Sequence, residues 1–199
     1  MPLEISSKAS TLKSLQGVLR AARVAPLHSF TVENWQTDSI NCLTGLTCKL
    51  GSDLWIVRSS CSREDGMDSS NAGAFLSIQN VKPGIASRVV DEVIDSYGEA
   101  LQSDEVLIQP MLSDVVRSGV AFSHDPNTCS PYRVVNWTNG SDTSVVTGGH
   151  GGSVWCQAAD SKVLPPPELS KILALLDELL FLFDGVPVDC EFAVTLEDE

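Results

Sequence analysis

Leu54–Phe75 reads LWIVRSSCSREDGMDSSNAGAF, an apolar strand pattern that runs into an arginine, a hydroxyl pair, an acidic pair and a loop of small residues. That order suits the binding of a polyphosphate. Leu54, Trp55, Ile56 and Val57 form a short buried-strand pattern, and Arg58 stands where the strand emerges. A guanidinium there grips phosphate oxygens through a rigid fork of donors. Ser69, Ser70, Asn71, Ala72 and Gly73 are small or turn-prone, so backbone N–H groups can approach an anion without bulky side chains in the way. An exposed strand-end arginine beside an ordinary connector fits the same residues. A second pattern lies near the end of the chain, where Val188, Cys190, Phe192 and Val194 alternate with Asp189, Glu191 and Ala193. Two carboxylates then share one face of a strand. They repel unless a cation lies between them, and magnesium bound to nucleotide phosphates takes one or two carboxylates together with phosphate oxygens and water. A half-exposed strand with a solvated acidic face is the alternative.

The elements that must position these groups are legible in part. Ser10–Leu19 carries Leu12, Leu15 and Leu19 at helical spacing after a hydroxyl cap, with Lys8 just before it, where a helix N-terminus also favours anions. A strand is predicted at Ser29–Val32, and Gln36–Ser52 has mixed signals and no assignment. Ile85–Tyr97 is an amphipathic helix, with Val89 and Val93 on one line and Arg88, Glu92 and Asp95 facing away. Val106–Ile108 reads as a buried strand stopping at Pro110, so Gln109–Leu112 is predicted to be extended with free backbone polar groups. Gly119–Phe122 and Arg133–Asn136 read as strands and Thr138–Ser144 as a polar loop. After Pro165-Pro166-Pro167, Leu169–Phe183 is a strongly apolar helix ending at Asp184-Gly185, and Val188–Val194 is the last strand. This alternation points to an α+β or α/β class.

The chain has 199 residues, 43% hydrophobic and 20% charged, enough to bury a core as one large domain or two small lobes. Its formal net charge of −13 leaves no basic stripe for a nucleic-acid backbone. Any polyphosphate ligand is therefore small and met by a few placed cations. Cys42, Cys48, Cys61, Cys129, Cys156 and Cys190 form no C-x-x-C pair and read as reduced, mostly buried thiols, which disfavours zinc. Met1–Leu15 is polar throughout, unlike a secretory signal, and Leu179–Phe183 is too short to span a bilayer, so a cytoplasmic location without membrane partners is expected. Asn136-Trp137-Thr138 matches a glycosylation acceptor pattern that has no use without export. His150, in Thr147-Gly148-Gly149-His150-Gly151-Gly152, superficially resembles a phosphorylatable histidine. More glycines follow it instead of a helix, so it reads as a loop over or beside a site. His28 and His124 have no neighbour that would make a catalytic dyad, and no phosphate-loop or nucleophile-elbow pattern is present.

Several of these segments, in order, resemble the nucleotide-binding domain of the phosphoenolpyruvate synthase (pyruvate, water dikinase) and pyruvate phosphate dikinase family, which has an ATP-grasp fold. Ser7–Leu12 looks like its lysine-containing start, and Val24-Ala25-Pro26 with Phe30-Thr31-Val32 is similar to its next segment. Val57-Arg58-Ser59-Ser60 with Glu64-Asp65 resembles V-R-S-S…E-D, and Ser70-Asn71-Ala72-Gly73 resembles the S-F-A-G loop. Val106–Met111 looks like the family's strand and hinge, Ser118–Pro126 resembles S-G-V-x-F-[ST]-x-D-P, and Asp189-Cys190-Glu191-Phe192 matches D-x-E-F. The departures include His28-Ser29, which stands where a proline and a glycine are common. Asn136–Gly140 replaces Y-G-x-G-E, and the chain reaches Glu199 without the Q-x-R strand.

The resemblance implies an α+β fold of two lobes around an ATP cleft, an N-terminal lobe over residues 1–108 and a hinge with a C-terminal lobe over 109–199. It implies that Lys8 and Arg58 act on the triphosphate, and that the Ser70, Ala72 and Gly73 loop closes over it. Gln109 and Met111 would frame adenine, largely through backbone groups at the hinge, and Asp189 and Glu191 would hold Mg²⁺. It further implies phosphoryl transfer from ATP to a histidine of a phosphohistidine domain, in cis or on another chain, and on to pyruvate. Two alternatives stay open: a donor module for another acceptor, as in rifampin phosphotransferases and glucan, water dikinases, or a non-catalytic nucleotide-sensing module. The chain is either a fragment or works with a partner that carries the acceptor.

Overall fold

A computed structural model describes residues 2–61, 76–140 and 152–197. It divides into two compact units, a first of Ile5–Gln16 with Val24–Met111 and a second of Met1–Glu4, Gly17–Arg23 and Leu112–Glu199. Helices and antiparallel sheets are mixed in both.

The first unit holds α1 (Lys8–Leu15), β1 (His28–Thr31), α2 (Val32–Leu43), α3 (Leu46–Leu50), β2 (Trp55–Ser60), β3 (Ser77–Val81), α4 (Ala86–Asp95) and β4 (Glu105–Pro110). Its sheet has the order β1-β4-β2-β3, antiparallel throughout. Alternation sends Phe30, Val57, Val106 and Ile108 to one face, where they form a buried core with Trp35 of α2, Leu46 and Leu50 of α3, and Val89, Val90 and Val93 of α4. The α4 helix matches its sequence pattern, with a short 3₁₀ turn at Pro83–Ile85 in front of it.

Several features differ from the sequence reading. The first helix starts earlier, at Lys8, because the Ser7 hydroxyl accepts the Ser10 N–H and caps it, and it ends before Gly17, whose φ is +74°. The unassigned stretch contains two helices. Thr31 and Asn34 close a capping box at the start of α2, but Asp38 (φ −153°, ψ 77°) kinks it and Gly45 (φ 71°) separates it from α3, which breaks the apolar periodicity. Strand β4 runs through Pro110, with Gln109 paired opposite Ile56, and the Met111 N–H donates to the Leu54 carbonyl at 2.8 Å. The backbone polar groups of Gln109–Leu112 are therefore not all free. Cys48, Cys129 and Cys156 are exposed, contrary to the expectation of mostly buried thiols.

The second unit holds β5 (Val115–Phe122), β6 (Tyr132–Asn139), β7 (Ser153–Ala158), α5 (Ser170–Leu182) and β8 (Asp189–Thr195), with sheet order β7-β6-β5-β8. Helix α5 covers one sheet face: Leu169, Ile172 and Leu176 pack with Ala121 and Val135, and Trp137, Trp155, Cys190 and Phe192 complete the core. The helix stops as its composition suggests, with Asp184 and Gly185 at positive φ and the Gly185 N–H bonded to the Leu180 carbonyl at 2.7 Å. The early segments are sewn to it: the Leu3 N–H reaches the Leu182 carbonyl at 2.8 Å, and the Arg20 and Ala21 N–H groups reach the Glu178 carboxylate at 2.7–3.1 Å. Among the described residues, no helix is long and apolar enough to cross a membrane.

Gly119 sits where β5 meets β6 most closely. A Cβ built there would press on the Asn136 carbonyl oxygen and lie 2.8 Å from the Trp137 Cα, both backbone that can retreat only by opening the ladder. Gly119→Ala should therefore destabilise the second unit by about 3 kcal/mol in denaturant melting, while Gly84→Ala, which meets nothing within 4 Å, should not.

Candidate functional site

Sheet register decides which predicted groups share a surface. In the first unit, paired positions and alternate residues put Ser29 and Thr31 of β1, Glu105, Leu107 and Gln109 of β4, and Arg58 and Ser60 of β2 on the face opposite the helical core. Ser77 of β3, paired with Arg58, extends that row. Helix α1 docks there, because the Ala9 N–H donates to the Ser60 Oγ at 2.8 Å. Lys8 therefore enters the first turn of a helix anchored two strand positions from Arg58. Lys8, Arg58 and Gln109 all belong to this side of the sheet. Met111 lies just past the strand, with its N–H engaged by Leu54.

Sequence reasoning missed the residue that organises this face. Glu105, with its side chain only 14% exposed, accepts from the Ser7 Oγ at 2.7 Å, the Ser29 Oγ at 2.7 Å, the Ser10 Oγ at 3.2 Å and the Lys13 Nζ at 3.3 Å. The strand below is tied in as well, since the Tyr97 hydroxyl donates to the Glu105 carbonyl at 2.6 Å and accepts the Ser60 N–H at 3.3 Å. The one sequence signal was an acidic residue directly before the buried run Val106-Leu107-Ile108, in the same alternation as Gln109.

The second unit presents the acidic pair as its sequence pattern suggests. Asp189 and Glu191 are exposed on β8, an edge strand, and register aligns them with Phe122 and Val120 of β5 on the face away from α5. Cys190 between them points toward the helix side, where burial, with the Asp189 and Glu191 charges adding, pushes its thiol up to about 12. That thiol is no nucleophile. Asn136 of β6 and Ser118 of β5 belong to the same face as the carboxylates. The donor set consists of hard oxygens and fits Mg²⁺ completed by phosphate and water. Among the described residues, no group of three or more His, Cys, Asp or Glu side chains could hold a metal by itself.

Ser70, Ala72 and Gly73, the Glu64-Asp65 pair and His150 lie outside the described residues. His28 lies on β1 with its Nε2 3.0 Å from the Cys42 carbonyl, a contact within the fold. His124 Nδ1 lies 3.0 Å from the Ser123 Oγ, but Ser123 is fully buried and its hydroxyl also accepts the Val188 N–H at 2.8 Å, so the two form a structural corner.

No family model matches the chain, and no curated protein matches it. Among solved structures it is similar to the D-alanine–D-alanine ligase of Helicobacter pylori, at 16% identity and a TM-score of 0.41, over 87% of this chain and 45% of that one. It is also similar to the dinucleotide-forming acetyl-coenzyme A synthetase 1 of Ca. Korarchaeum cryptofilum, at 10% identity and a TM-score of 0.41, over 79% of this chain and 61% of that one. The chain thus spans less than two thirds of either protein, and neither likeness assigns it to a family.

Two half-buried groups of the first unit contribute to its acid stability. Burial pushes the Glu105 carboxyl up, but the Ser29 and Ser7 hydroxyls and Lys13 together outweigh it and hold the group below the ordinary value of 4.5. Its contribution is then complete above 4.5 and is lost as pH falls through the lowered pKa. Burial, with Lys49 adding, lowers the His28 imidazole below 6.5, so its contribution is present above 6.5 and fades below it. Urea unfolding across pH should show both declines in the native chain. Glu105→Gln should remove only the lower one, and a curve of unchanged shape in that variant would refute the assignment.

Proposed function

We propose that the chain binds Mg-ATP and serves as the phosphoryl-donating part of a dikinase related to phosphoenolpyruvate synthase. The observation that carries this reading is the docking of α1 on the sheet face that holds Arg58, through the 2.8 Å bond from the Ala9 N–H to Ser60. Arg58 and the helix that begins at Lys8, 50 positions apart in sequence, thereby share one side of the sheet. The ordered series of sequence resemblances supports it independently.

In this reading Lys8 supplies a compact charge and Arg58 a planar fork to the phosphate oxygens, holding the triphosphate while the acceptor histidine attacks the β-phosphorus and negative charge shifts toward the leaving AMP; water then cleaves the transferred diphosphate, leaving a phosphohistidine and free phosphate. Gln109, on the same face, meets the adenine by its side chain, since the neighbouring Met111 N–H is already given to Leu54. Ser70, Ala72 and Gly73 offer backbone donors to the phosphates. Asp189 and Glu191 would hold Mg²⁺, which supplies charge neutralisation to the phosphates when bound. Transfer itself needs orientation and electrostatics more than a protein acid or base. The acceptor is a histidine on a phosphohistidine domain, with pyruvate as the final acceptor.

Calorimetry with ATP and Mg²⁺ tests this directly. Lys8→Ala, Arg58→Ala and Glu191→Ala should each weaken Mg-ATP binding by roughly tenfold or more, the range of a lost hydrogen bond to a charged group. Binding indifferent to all three substitutions would overturn the reading. Mixing the chain with a phosphohistidine domain should consume ATP and release AMP; tight ATP binding with no AMP formed would instead favour a nucleotide-sensing role.

A further inference from the structure

We propose that Glu105 is a positioning residue for the triphosphate, acting through α1 on Lys8; the inference rests on the phosphate-binding reading given above. The side chain of Glu105 is directed into the protein. A carboxylate offers about four acceptor positions, and those of Glu105 are met by the Ser7, Ser10 and Ser29 hydroxyls and the Lys13 ammonium. Three of the four donors belong to α1 or its cap. They grip both its first turn, through Ser7 and Ser10, and its last, through Lys13.

The Ser7 hydroxyl is the pivot. It donates to Glu105 at 2.7 Å and accepts the Ser10 N–H at 3.3 Å, so the group that caps the helix also fixes it to the sheet. Lys8 is the next residue, and its backbone direction follows from that anchor. Hydrogen bonds to an ionised acceptor are shorter and stronger than neutral ones, which makes the anchor stiff enough to place a cation. Glu105 also engages Lys13, on the same helix as Lys8 but at its far end, so that one lysine of the helix is given to the anchor.

The sign of the effect separates positioning from simple charge. Removing a carboxylate from a phosphate-binding face would, by charge alone, tighten an anionic ligand. Loss of position loosens it. On the full chain, calorimetry with Mg-ATP and with adenosine should show Glu105→Ala about tenfold weaker for Mg-ATP and unchanged for adenosine, which lacks phosphate. In a Lys8→Ala background the same substitution should have no further effect, and Glu105→Gln, whose amide oxygen still accepts Ser7 and Ser10, should recover most of the affinity. Mg-ATP binding that is unchanged or tighter in Glu105→Ala overturns the inference, as does an equal loss for adenosine or a loss that adds to that of Lys8→Ala. Should Glu105→Ala fail to fold by thermal melting, Ser7→Ala with Ser10→Ala cuts the same links from the helix side and is read by the same outcomes. A native chain that does not bind Mg-ATP overturns the phosphate reading and this inference together, whereas native binding with an indifferent Glu105→Ala overturns the inference alone.

Discussion

Strand β4 is bonded on both sides, to β1 and to β2, and it must satisfy two unlike surfaces at once. Its even-numbered residues Val106 and Ile108 are fully buried under the helices, which removes any freedom of register: a slip of one residue would drive Glu105 and Gln109 into an apolar core. The hydrophobic side of the strand therefore dictates what the polar side displays. Arg58 is held in the same way, because Val57 beside it is fully buried in that core and the alternation of β2 allows the guanidinium only one side.

On the polar side, order comes from hydroxyls gathered around a carboxylate. Such a cluster works only when each member is satisfied, and the bonds of Ser7, Ser10, Ser29 and Lys13 to a single acceptor meet that condition. The second unit handles its charges differently. Arg133 joins the Ser123 carbonyl at 2.8 Å and the Asp177 carboxylate at 2.6 Å, which ties β6 to α5. Its acidic pair on β8 stays exposed, with the thiol between the two carboxylates turned inward.

What the sequence reveals follows the range of the interaction concerned. The α4 helix and the alternation in β8 are properties of neighbouring residues, and both can be read directly. Asp38 and Gly45 interrupt an otherwise helical stretch, so α2 and α3 cannot be separated by periodicity alone. Strands β3 and β7 lack a clear apolar run and owe their pairing to β2 and β6. The bond from Ser7 to Glu105 spans 98 positions, and no local pattern announces it. The end of an apolar strand brought out Arg58 and a helix start Lys8, with the resemblance adding a shared role, whereas Glu105 emerged only from distances.

The Glu178 carboxylate that receives the Arg20 and Ala21 amides lies 158 and 157 positions away, respectively, along the chain. During synthesis those two amides leave the ribosome long before their acceptor has been made. The first unit can begin to assemble from Val24 to Met111 as a continuous stretch, but the segment Gly17–Arg23 must wait, solvated, for α5 to emerge. Closing contacts of such high sequence separation is entropically slow. The second unit thus forms after the first, since residues 17–23 meet their binding partner only once Glu178 has been made.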